Sequence, residues 1–175
     1  MSNLEERLKS LGIKLPEPPK AQGNYVGAVT YGNLVYLSGS GPLKDDGSFI
    51  VGKVPTDISE EEAYQAARLT GLNLIATLKN HIGDLDRFQK MIKALGMVNC
   101  EPDFGAQPKV INGFSDLMVE VFGDAGRGAR SAVGMGSLPA GIPVEIEMIV
   151  EIKYPTLLEK KIKIVSNYLS TSIIK

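Results

Sequence analysis

The 175-residue sequence contains one cysteine, Cys100, and one histidine, His81. A lone thiol closes no internal disulfide, and a lone imidazole builds no histidine-rich metal site. A hydrolase resting on a histidine triad would have to use His81. Charge of one sign is also missing: the formal net charge is -1, so no global basic field invites nucleic acid. No stretch approaches the roughly 18 apolar residues that span a bilayer. The first residues, MSNLEERLKSLGIKL, are interrupted by charges and lack the unbroken apolar core of a secretory signal. These absences lead to the expectation of a cytoplasmic protein without a membrane partner.

What is present fits one compact domain. The chain is 43% hydrophobic and 22% charged, ordinary values for a folded globular protein. Leu4, Leu8 and Leu11 share one helical face before Gly12. The connector LPEPPKAQG then favours extended chain. Two short strand patterns, GAVTY and LVYLSGS, flank Gly32-Asn33, a pair suited to the positive φ angles of a tight hairpin. SFIVG is read as a third short strand or an ordered loop.

Ser59 and Glu62 form a capping box, so a helix should start there. Its stripe is Ala63, Ala67, Thr70, Leu74 and Leu78, and it should stop near Gly83. RFQKMIKALGMVN fits both periods, and Gly96 with its β-prone neighbours favours strand. Pro108 suits a first helical turn, and Val110, Phe114, Leu117, Met118 and Val121 line one face up to Gly123. In PVEIEMIVEIKY, Val144, Ile146, Met148, Val150 and Ile152 alternate with Glu145, Glu147, Ile149 and Glu151. The order of elements predicts an α+β domain, a mixed sheet with two helices on one face. The other face, with Tyr31, Tyr36, Ser38 and the glutamates, is half polar and suits cover by a partner subunit.

Several nucleotide-binding patterns fail. GSGPLKDDG lacks the spacing of a P-loop, and GDAGRG lacks the preceding strand of a dinucleotide fingerprint. His81 suits the cation-favouring end of a helix, and Cys100 has no neighbour in sequence to activate it. Arg130, in GRGARSAVGMGSLPAG, is different. A guanidinium on a rigid strand with small neighbours can anchor a carboxylate bidentately, or it can form a salt bridge to one of the glutamates. The residues alone leave both open.

ARSAVGMGSLPAGIPVEIEMIVEI, together with YGNLVYLSGSGPL, resembles the YjgF/RidA family of reactive-intermediate deaminases, also called endoribonuclease L-PSP. The likeness covers residues 20–153, leaving 1–19 as an N-terminal helix and connector and 154–175 as a C-terminal extension. It implies a chorismate-mutase-like fold, a homotrimer with ligand clefts between subunits, and no metal or organic cofactor. It assigns carboxylate binding to Arg130, the water-polarising role to Glu145, and pocket-lining positions to Tyr25, Ser38, Gly39 and Ala132. Ala132 stands where relatives often carry cysteine. The implied activity is hydrolysis of 2-imino or enamine acids to 2-oxo acids and ammonia. A non-catalytic sensor of small carboxylic acids and an endoribonuclease are the alternatives.

Overall fold

A computed structural model describes residues 3–153. The C-terminal extension expected from the sequence, residues 154–175, lies outside the described residues. The elements are α1 (Asn3–Ser10), β1 (Ala28–Tyr31), β2 (Leu34–Ser40), α2 (Glu60–Ile82), β3 (Phe88–Asn99), α3 (Gln107–Phe122), β4 (Ala129–Met135) and β5 (Val144–Ile152). The five strands form one sheet in the order β1-β2-β5-β3-β4. β3 and β4 are parallel, and the other neighbours are antiparallel. The α+β mixed sheet expected from the sequence is present, with α2 and α3 covering one face.

Local chemistry sets most boundaries. The Ser59 side chain accepts from the Glu62 N–H while Glu62 reaches back to the Ser59 N–H, so both arms of the capping box form. Gly83 ends α2 at φ 84° and Gly123 ends α3 at φ 62°. The first hairpin pairs Tyr31 with Leu34, but its positive φ falls on Gly32 rather than on both turn residues. SFIVG forms an ordered loop, tied by a single bridge between Leu43 and Phe49.

The apolar stripes meet under the sheet. Ala63, Ala67, Leu74 and Leu78 of α2, Val110, Phe114, Leu117 and Val121 of α3, and Val144, Ile146, Met148 and Val150 of β5 are all buried. Each such large side chain contributes about 1.5–3 kcal/mol relative to exposure. The two helices cross closely: a Cβ at Gly113 would overlap the Tyr64 carbonyl oxygen, and one at Gly71 would lie 2.8 Å from Leu117. Leu8 of α1 is buried in the same core, and Asp86 accepts hydrogen bonds from the Asn3 and Leu4 amides.

Candidate functional site

The alternation of β5 decides where Glu145 points. Val144 and Ile146 go into the core, so Glu145 emerges on the face that the helices leave open. A register shift in β2 between Leu37 and Ser40 brings Gly39 beside it. The fit requires glycine, because the Glu145 carboxylate occupies the space that a Cβ at position 39 would fill. A cavity of about 420 Å³ opens there, lined among others by Tyr25, Gly39, Phe49, Ile142 and Glu145. Pro139 and Ala140 close one side, and Ala140 adopts the left-handed φ of 55°. Sequence periodicity could not find this turn. The positive φ on an alanine emerges only in the structure.

Tyr25 is 54% exposed at the cavity mouth, its hydroxyl accepting from the Gln22 N–H at 3.3 Å. Ser38 donates to the Val26 carbonyl at 2.7 Å and so fixes the segment carrying Tyr25. Ser38 itself does not line the cavity. Among the described residues Glu145 has no hydrogen-bond partner. Burial pushes its carboxyl above the ordinary carboxylate value, and the like charge of Glu147 adds to the rise.

Arg130 lies on the opposite face. Ala132, two residues on, packs against the core, and a Cβ at Gly134 would meet Cys100 and Gln107 beneath α3. The same parity sends Arg130 toward α3. Its Nη1 donates to Asn112 Oδ1 and Ser115 Oγ, both at 2.9 Å, and its Nη2 to the Pro108 carbonyl at 3.4 Å. All three acceptors are neutral. Among the described residues Arg130 forms no ion pair. Asp116 lines the same cavity of about 330 Å³ but accepts the Tyr64 hydroxyl at 2.9 Å, which raises the tyrosine's pKa.

Register measures the separation of the two groups. Arg130 aligns with Ala94 and Met148, whereas Glu145 aligns with Met97 and Val133. They are two strands apart and three residues apart along the sheet, roughly 14 Å between backbones, and they point to opposite faces. The structure therefore brings Tyr25, Gly39 and Glu145 together and sets Arg130 elsewhere. Ala132 lines neither cavity. No small acid touches Arg130 and Glu145 of one chain at once.

The open face of the sheet, on Glu145's side, is unusually apolar for solvent. Val29, Tyr31, Tyr36 and Val133 are 53%, 78%, 43% and 38% exposed. Lys93 donates to Ser131 Oγ on this face at 2.6 Å. The remaining sequence candidates have structural surroundings: His81 Nε2 is 2.8 Å from Thr30 Oγ1, and Cys100 is buried beside Gln107.

This sheet order, with two helices on one face and the other face open, defines a chorismate-mutase-like α+β protein. The family described as "YjgF/chorismate mutase-like, putative endoribonuclease" matches residues 5–145. The chain belongs to this YjgF/RidA family. Protein TCP17 of Trypanosoma cruzi is 39% identical over 146 residues, covering 83% of this chain and 91% of its own length. Atu1372 of Agrobacterium tumefaciens, a protein of unknown function, matches with a TM-score of 0.79 and 43% identity over 86% of this chain and 92% of that one. RidA from the Antarctic bacterium Psychrobacter sp. PAMC 21119 matches with a TM-score of 0.57 and 26% identity, over 78% and 94%.

Proposed function

We propose that the protein hydrolyses 2-imino acids and their enamine tautomers to 2-oxo acids and ammonia, in a cleft completed by two chains of a homotrimer. The observation that carries this reading is a strand-borne guanidinium with only neutral acceptors. Such a cation favours a carboxylate ligand over its present surroundings. β4 is an edge strand, so a second chain can approach Arg130 from the side, and the exposed apolar face gives trimer contacts a surface to bury.

In the cleft the substrate carboxylate pairs with Arg130 of one chain while Glu145 of the next faces the C=N carbon. The imine nitrogen is protonated, which makes the carbon electrophilic. Glu145 takes a proton from water as the new C–O bond forms, giving a tetrahedral carbinolamine. It then returns that proton to nitrogen, and as the C–N bond breaks and ammonia leaves, the regenerated carboxylate takes the hydroxyl proton and the hydroxyl becomes the carbonyl of the 2-oxo acid. A carboxyl with a raised pKa suits this exchange, because it holds an accepted proton more firmly than an ordinary carboxylate and can hand it on to nitrogen. Backbone at Gly39 lines the reacting side.

Two inactive variants test both the chemistry and the shared cleft. Arg130→Ala and Glu145→Gln should each lose acceleration of enzymatically generated 2-iminobutanoate hydrolysis. Mixed, unfolded and reassembled together, they should recover about a quarter of wild-type activity, because one cleft in four combines an intact arginine with an intact glutamate from different chains. No recovery, with mixed trimers demonstrated, would place both groups in one chain. Wild-type protein without acceleration would end the enzymatic reading. The second reading, a non-catalytic receptor for small 2-oxo acids, is favoured by the separation of Glu145 from Arg130. It requires Arg130-dependent thermal stabilisation by 2-oxobutanoate without turnover.

A further inference from the structure

The contacts of Arg130 distinguish its two hydrogen-bonding edges. A guanidinium carries five N–H groups in one plane. Nη1 spends both of its protons on Asn112 and Ser115, and Nη2 directs one to Pro108. Two donors are left, Nε–H and the second Nη2–H. Nε and Nη2 form the side edge of the fork, the edge that can meet the two oxygens of one carboxylate.

The arrangement follows from the helix. Asn112 and Ser115 are three residues apart in α3 and so are neighbours on its surface. Val110, Ile111, Phe114 and Leu117 hold the inner stripe of α3 against the core. The polar pair therefore has a fixed position beside that stripe, and Ser115 is half buried. Neutral acceptors orient the cation without cancelling its charge. An acid at either position would occupy the guanidinium and compete with the ligand.

We propose that Asn112 and Ser115 are positioning residues: they hold the Nη1 end of Arg130 and reserve its Nε/Nη2 edge for bidentate capture of the ligand's carboxylate. This rests on the reading of Arg130 as the carboxylate anchor. It adds two residues of α3 to the specificity for acids over neutral analogues. Asn112 and Ser115 line the same cavity as Arg130 and act through its Nη1, so their effect is on affinity for the carboxylate rather than on the reacting carbon.

Titration calorimetry with 2-oxobutanoate, and with 2-oxobutanamide as the uncharged match, separates the possibilities on the full chain. Asn112→Asp keeps the side chain's size and creates an in-chain ion pair, so it should weaken the acid about tenfold while leaving the amide unchanged. Ser115→Ala should weaken the acid about threefold, and Ser115→Thr, which retains the hydroxyl, should restore it. Circular dichroism would establish that each variant is folded. Wild-type affinity for the acid in both Asn112→Asp and Ser115→Ala overturns the positioning role and leaves the anchor standing. Equal losses for acid and amide overturn it as well, since they mark general damage to the cavity. Absence of Arg130-dependent binding in the wild type overturns the anchor and the positioning role together.

Discussion

Arg130 and Glu145 are the two charged groups to which the proposed function gives roles, and their surroundings are opposite in kind. The arginine is braced by three neutral acceptors on one helix. The glutamate has no hydrogen-bond partner among the described residues and rests against the bare backbone of Gly39. Bracing suits a group that must stay charged and hold still. An unpartnered carboxyl with a raised pKa suits one that must exchange a proton. Under the proposed function the difference is a division of labour, with binding on the α3 side of one chain and proton transfer on the open face of another.

The contrast breaks most sharply at Gly39. Gly39→Ala places a methyl where the Glu145 carboxylate lies, and the flexible side chain should swing aside at small cost in folding. Displacing the base by about 1 Å should lower kcat roughly 10²-fold, with 2-oxobutanoate binding at Arg130 close to wild type. A variant with wild-type kcat would show that the glutamate's placement is irrelevant to turnover.

A smaller effect is expected from Glu147→Gln. Glu145 must be ionised to accept a proton from water, so activity should fall as pH drops through its raised pKa. Removing the neighbouring like charge lowers that pKa, and the acid limb of the kcat profile should move to lower pH. An unmoved limb would assign it to another group. Smallest of all, Ala140→Gly should relieve the left-handed backbone at φ 55° and stabilise the fold by about 0–1 kcal/mol in thermal unfolding. The reverse change at φ 69°, Gly141→Ala, should destabilise it by about 1 kcal/mol.

Much of the fold was legible because its signals are local. The capping box at Ser59 and Glu62, the stops at Gly83 and Gly123, and the alternation of β5 all act within a few residues. They fixed α2, α3 and the side from which Glu145 emerges. β4 offered no such guide: ARSAVGM is built from small residues and has no apolar period, so the face taken by Arg130 could not be read from it. Its partners Asn112 and Ser115 lie 18 and 15 residues earlier in the chain. They meet it only because α3 crosses between the parallel strands β3 and β4. The residues themselves marked Arg130 as a candidate and family resemblance chose the carboxylate role over the salt bridge, but neither supplied what holds it.

The brace on Arg130 has a mechanical consequence. Force applied to the guanidinium by a bound acid passes through Asn112 and Ser115 into α3, and from there into the packed interior at Phe114 and Leu117. The proposed anchor is thus fastened to the packed interior of the domain rather than to a loop that must first be ordered. Its grip on a ligand should persist with rising temperature until the interior itself gives way.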